Sequence, residues 1–192
     1  MSGHPDHVFA RTGGDEMGLD KIRVGISTCL LGEKVRYDGG HKLDRYIVNT
    51  LGRFFQFVPV CPEHEAGYPI PRPPFRLEGD KADPRLVTPK DGEDHTDRMK
   101  AWSADRLDEL EQQGLCGYIL KSRSPSCGLL SVKLHDGNGR PAGDGSGLFA
   151  RALADRFPDL PVEEESHFGD PHFAETFIER VSAYQRRKGA PE

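Results

Sequence analysis

The chain has no apolar run approaching the ~20 residues that a membrane-spanning helix needs, so no membrane association is expected. Its first twenty residues, MSGHPDHVFARTGGDEMGLD, lack the apolar middle of a secretory signal and predict a disordered leader over residues 1–20. Without a route to an oxidising compartment, disulfides are a poor use of cysteine, and a cytoplasmic location is expected. Positive charge is not in excess either. The formal net charge of -5 argues against a protein that grips nucleic-acid phosphates over its whole surface, although a local basic patch remains compatible with it. Cysteines number only four, Cys29, Cys61, Cys116 and Cys127, and no CxxC pair occurs, which argues against a zinc ribbon. Internal repeats and heptad arrays are also missing.

What is present is enough for one folded domain. The 192 residues, 35% hydrophobic and 30% charged, give a globular balance with a full core, expected over residues 21–188. Ile22–Ser27 (IRVGIS) is short, apolar and β-rich and predicts a buried strand. Leu43, Tyr46, Ile47 and Leu51 then share one helical face. Residues 56–60 (QFVPV) predict a second strand, weakened by Pro59. Residues 62–94 read as a long loop, because the four prolines of PIPRPPFRLEGD remove amide donors and forbid a regular helix. Residues 95–113 predict a helix stopped at Gly114, residues 117–121 a third strand, and residues 131–134 another. The turn-rich DGNGRPAGDGSG follows. Leu148, Phe149, Ala152, Leu153 and Phe157 mark a helix, residues 161–164 a short strand, and Asp170-Pro171 the cap and first position of a last helix. This alternation predicts an α/β fold, three-layer, with a mostly parallel Rossmann-like sheet and helices on both faces.

In open parallel sheets ligands bind beyond the carboxyl ends of the strands. Cys29 lies just after the first predicted strand, Cys61 directly after the second, and Cys127 in the loop after the third. Three cysteines therefore share the functional edge. Cys116 precedes its strand and belongs near the opposite edge, as a structural thiol. Widely spaced cysteines can still hold a metal or an iron–sulfur cluster if the fold gathers them. Three thiolates on four irons would leave one iron open to a substrate atom. The plain alternative is a set of buried thiols acting as small hydrophobes.

The surroundings of these cysteines are polar. Ser122, Ser124 and Ser126 crowd the turn before Cys127, where hydroxyls and amides can donate to cluster sulfurs or a substrate carbonyl. Glu63, two residues after Cys61, is placed to act as a base. Arg36, Tyr37 and Asp38 follow Cys29 in GEKVRYDGG, where Tyr37 and Asp38 are candidates to contact a ring substrate, although Asp38-Gly39 is also a good turn. His64, His95, His135 and His167 are scattered, and no metal role is assigned to them.

These residues together resemble the thiouracil desulfidase family. The resemblance rests on Thr28-Cys29-Leu30-Leu31-Gly32, Val35-Arg36-Tyr37-Asp38-Gly39, Cys61-Pro62-Glu63 and KSRSPSCG at residues 121–128, four motifs in order within residues 21–184. It implies a 4Fe–4S cluster held by Cys29, Cys61 and Cys127, with Glu63 and Ser124 as catalytic residues. The chemistry it implies is non-redox: water, helped by Glu63, replaces the sulfur of a thiolated pyrimidine, and sulfide is left at the iron that has no protein ligand. Pro71-Arg72-Pro73-Pro74-Phe75-Arg76-Leu77 and Phe177-Ile178-Glu179-Arg180 look closer to a longer branch. That branch carries a second C-terminal domain and is linked to desulfuration of 4-thiouridine in transfer RNA. The chain stops at Glu192 without such a domain, which the resemblance implies as a separate or missing partner. The expected substrates are thus 2-thiouracil, or 4-thiouridine free or in tRNA. The alternative is a non-catalytic iron–sulfur or zinc-binding module.

Overall fold

The computed structural model describes residues 21–189. The leader expected over residues 1–20 lies outside them. In chain order the strands are β1 (Ile22–Ser27), β2 (Phe55–Val60), β3 (Arg76–Gly79), β4 (Pro84–Val87), β5 (Gly117–Leu120), β6 (Val132–His135), β7 (Pro141–Gly145) and β8 (Val162–Glu164). The helices are α1 (Arg45–Asn49), α2 (Pro62–Glu65), α3 (Thr96–Gln112), α4 (Leu148–Arg156) and α5 (Pro171–Lys188).

β1 is flanked by β2 and β5, and β8 completes a four-stranded sheet of order β2-β1-β5-β8 in which every pair is parallel. The period of two along each strand sorts its side chains onto two faces. Val24, Ile26, Phe55 and Ile119 face a core built with Ile47 of α1, with Leu51 in the turn that follows it, and with Ala174, Phe177 and Val181 of α5. Val60, Tyr118 and Leu120 face the other way, against Leu107 and Leu110 of α3 and Phe149 and Leu153 of α4. Helices thus cover both faces, as the alternating pattern predicts. On the second face Tyr118 lies flat over Gly25, where an added Cβ would stand 2.3 Å from the ring. Any side chain at position 25 would force β1 and β5 apart.

α5 begins where its cap residues predict. The Asp170 carboxylate accepts from the His172 amide at 3.0 Å, and Pro171 occupies the first turn, where no amide is needed. Phe177 is 1% exposed and meets Phe55 and Phe168 edge-on at 5.9 and 5.2 Å. Burial of such a ring is worth about 1.5–3 kcal/mol. α1 is shorter than the apolar face from Leu43 to Leu51 suggests. Asp44 caps it at the Ile47 amide, and the chain tightens into a 3₁₀ turn over Leu51–Arg53.

The largest departure from the sequence reading is a second sheet, of order β4-β3-β6-β7. It is mixed: β3–β4 and β6–β7 are antiparallel and β3–β6 is parallel. The long loop expected over residues 62–94 therefore contains α2, β3 and β4, and the turn-rich stretch contains β7. These strands are short and carry Pro, Gly, Arg and Glu, so they show no apolar run. Leu77, Leu86, Val132 and Leu134 nonetheless bury one face against Met99 and Leu148. No described helix is long and apolar enough to cross a membrane.

Candidate active site

In the parallel sheet the chain leaves β1 for β2 on one side and later returns to β5 on the other. That reversal opens a crevice beyond the carboxyl ends of β1 and β5. Cys29 sits in the 3₁₀ turn Thr28–Leu31 that follows β1, and its carbonyl accepts the Lys42 amide at 2.8 Å. Cys61 caps α2 directly after β2, with its amide donating to Glu65 Oε1 at 2.7 Å. Cys127 lies in the loop after β5, its amide donating to Ser124 Oγ at 3.1 Å. All three line one cavity of about 320 Å³. Cys116 does not. Its amide bonds to the Arg23 carbonyl near the start of β1, and its thiol reaches the Gly114 carbonyl at 3.4 Å.

The cavity is hostile to isolated thiolates. Burial pushes the Cys61 thiol from 9.0 up to about 11, with the nearby Glu63 charge adding to the rise. Burial raises Cys29 and, further, Cys127, and the Cys61 thiolate would raise Cys127 more. Three acids that oppose one another's ionisation need a shared cation to ionise together. A soft, cationic metal group suits that donor set. Among the described residues no three His, Cys, Asp or Glu side chains converge closely enough to share a single ion. The three thiols border one shared space.

Glu63 lies in the first turn of α2 and lines the same cavity. Its Oε2 accepts from Arg72 Nε at 2.9 Å and Arg72 Nη2 at 2.6 Å, and its Oε1 accepts from Ser126 Oγ at 2.9 Å. Ser124 lines the cavity, and its Oγ accepts the amides of Ser126 at 3.3 Å and Cys127 at 3.1 Å. An oxygen that accepts twice keeps its own proton for a third partner. Ser122 also lines the cavity, but its hydroxyl and amide are both given to Glu165, at 2.8 and 2.5 Å. Ser126 is fully buried behind the wall, in contact with Glu63. Tyr37 lines the cavity, whereas Asp38 stays outside it, accepting from the Gly40 amide at 2.9 Å and pairing with Arg36 at 3.5 Å.

Several site residues have no signal in the sequence reading. Arg72 comes from the proline-rich segment, where no periodicity marks a buried arginine. Glu165 gathers Ser122 and the Lys121 ammonium at the start of the cysteine loop. Glu164 holds the far end of the loop through the Leu129 amide at 2.7 Å and Ser131 Oγ at 2.9 Å. Between these anchors Arg123 adopts φ 60, a left-handed conformation uncommon outside glycine and typical of strained functional loops. Arg36, Lys42, Arg72, Lys121 and Arg123 all line the cavity. Among the described residues Lys42 and Arg123, both exposed at the cavity, make no ion pair.

Comparison with known proteins identifies the family and a fold neighbour. The family model for 2-thiouracil desulfurase matches residues 24–165, which contain all three cavity cysteines and Glu63. An uncharacterized protein of Bacillus subtilis (strain 168), YbbK, is 31% identical over 108 residues, 54% of this chain and 71% of that protein. A solved structure of TudS, a [4Fe-4S]-dependent thiouracil desulfidase, superposes with a TM-score of 0.61 at 32% identity, covering 81% of this chain and 97% of that one. The chain belongs to the 2-thiouracil desulfurase family.

Proposed function

We propose that this protein is a desulfidase that holds a 4Fe–4S cluster on Cys29, Cys61 and Cys127 and converts a thiolated pyrimidine to its oxo form. The observation that carries the reading is that three thiols, two of them buried and that of Cys61 half-buried, share one cavity with a tethered carboxylate and a free hydroxyl proton. The overall reaction is a hydrolysis. A C–O bond forms, the C–S bond breaks, hydrogen sulfide leaves, and no electrons are exchanged with an outside acceptor. When bound, the cluster supplies a Lewis-acidic iron that has no protein ligand and can take the departing sulfur. Glu63 takes the proton of the attacking water through Oε1, which has accepting capacity left beside its single bond from Ser126. Ser124 donates its proton to the pyrimidine and orients the ring. Tyr37 and Ser122 shape the wall on either side of it, Ser126 steadies Glu63, and Asp38 acts only by holding the turn beneath Tyr37.

The substrate is 2-thiouracil, or 4-thiouridine free or in tRNA; Lys42 and Arg123, which line the cavity outside any ion pair among the described residues, would also suit a phosphate on such a substrate. A cytoplasmic location and a single fold over residues 21–188 belong to the same proposal. A non-catalytic cluster module would need the cysteines but no carboxylate held from both sides. A structural zinc site would need a fourth ligand, and Cys116 lies elsewhere.

The test is anaerobic reconstitution followed by assay of sulfide release from 2-thiouracil, from 4-thiouridine with and without a 5′-phosphate, and from thiolated tRNA. About four irons per chain with sulfide from at least one compound support the desulfidase. Iron without sulfide from any of them supports the non-catalytic module, and colourless zinc protein overturns both.

A further inference from the structure

Arg72 is the most fully buried cation of the site, its side chain 3% exposed. All of its bonds but one go to residues that line the cavity. Its backbone amide donates to the Tyr37 carbonyl at 2.9 Å. Nη1 and Nη2 each donate to the Val35 carbonyl at 3.3 Å, the same oxygen that the Cys61 thiol faces at 3.9 Å. A further Nη1 bond reaches the Pro69 carbonyl. The guanidinium does not form the two-oxygen fork usual for an arginine–carboxylate pair. Nε and Nη2 both donate to Glu63 Oε2, and Oε1 is left to Ser126.

That asymmetry has a chemical consequence. Oε2 is saturated and pinned, so the carboxylate cannot rotate to exchange its oxygens without breaking two charge-assisted bonds. Oε1 keeps one accepting position. Removing the guanidinium would free Glu63 to turn and would take its two bonds from the Val35 carbonyl, while the backbone bond from Arg72 to the Tyr37 carbonyl would still hold the 35–37 loop in place. When Cys61 serves as a thiolate it no longer donates to the Val35 carbonyl, and Arg72 keeps that oxygen satisfied.

We propose that Arg72 is a positioning residue for the desulfidase reaction, acting through Glu63: it holds Oε2 so that Oε1 is the oxygen presented to the reacting water. This rests on the function proposed above. A general base contributes about 10²–10⁴-fold to a rate, and loss of its orientation forfeits a large part of that. Arg72→Met should lower kcat about 100-fold, while KM stays within about threefold and iron content is unchanged. Arg72→Lys retains the charge but not the double contact and should lose about tenfold. The decisive arm repeats Arg72→Met in a Glu63→Gln background. There kcat should fall by less than about threefold, because the group through which Arg72 acts is already gone.

The experiment measures kcat, KM, iron and thermal midpoint for the reconstituted wild type, the single variants Arg72→Met, Arg72→Lys and Glu63→Gln, and the double variant. Should Arg72→Met fail to fold, Arg72→Lys and its double with Glu63→Gln carry the same comparison. Missing turnover in the wild type overturns the desulfidase reading itself and is seen before any variant. Retained kcat in the folded Arg72 variants, or an undiminished loss in the Glu63→Gln background, overturns the positioning role alone. Non-additive kcat loss with intact iron establishes it.

Discussion

Gly147 caps the start of α4 directly behind the cysteine loop. Its backbone is ordinary, φ -62 and ψ 151, so alanine meets no torsional objection there. The objection is steric. An added Cβ would lie 2.5 Å from both the carbonyl carbon and oxygen of Ser126 and 2.9 Å from the Cys127 amide nitrogen. These are backbone atoms and cannot swing aside as a side-chain tip would. The Gly147 amide also donates to the Gly128 carbonyl at 2.7 Å, tying the helix to the same loop. Overpacking costs typically ~1–3 kcal/mol, and this contact belongs at the upper end. At roughly 2–4 °C per kcal/mol for a chain of this size, Gly147→Ala should lower the thermal midpoint by roughly 6–12 °C. Because the displaced atoms belong to Ser126 and Cys127, iron retained after reconstitution should fall as well. Gly137→Ala, with nothing within 4 Å of the added carbon, serves as the control and should stay within about 0.5 kcal/mol of wild type. Scanning fluorimetry and iron analysis of both variants decide the matter. A Gly147→Ala protein with unchanged melting and full iron would refute the tight packing of α4 on the cysteine loop.

Other outcomes follow from the same geometry. Cys116→Ser should keep the wild-type iron content, whereas serine at Cys29, Cys61 or Cys127 should lose most of it; equal loss at all four would contradict the division of the cysteines between the two ends of the sheet. The raised thiols make the metal-free protein sensitive to alkali. Between 9.0 and about 11 the unfolded chain has released the Cys61 proton and the folded chain has not, so the folded state binds more protons there and its stability should fall as pH rises through that window, read by urea titration. Cluster assembly, which must expel those protons, should become easier over the same rise. Glu165→Gln should weaken the anchor on Lys121 and Ser122, seen as faster hydrogen exchange at the Ser122 amide and earlier loss of iron in air.

How much of this was legible beforehand differed by region for physical reasons. β1 and β5 are buried on both faces or nearly so, and that double burial leaves apolar runs such as IRVGIS that can be read directly, while the edge strand β2, half exposed, still shows as FVPV. Once those strands are placed, the positions of Cys29, Cys61 and Cys127 at their carboxyl ends follow. Of the second sheet only β6, expected at residues 131–134, gave a signal. Its β3 and β7 read RLEG and PAGDG, and β3 finds its parallel partner β6 only across α3 and β5. Arg72 was hidden for a related reason. A buried arginine is stabilised by partners from distant segments, here Val35 and Glu63, and nothing in its proline-rich neighbours marks it. The anchors Glu164 and Glu165 are likewise ordinary acidic residues until β8 brings them beside the cysteine loop. The serines were recognisable as a group, but their roles separate only in three dimensions, with Ser124 facing the cavity and Ser126 behind Glu63.

The central claim is that the three-cysteine cavity performs hydrolysis with Glu63 as its base. The most direct measurement compares anaerobically reconstituted wild type with Glu63→Gln, reading iron per chain and sulfide released from a thiolated pyrimidine in the same samples. The account predicts about four irons in both proteins and a rate at least ~100-fold lower in the variant. Sulfide release by Glu63→Gln at the wild-type rate would contradict it.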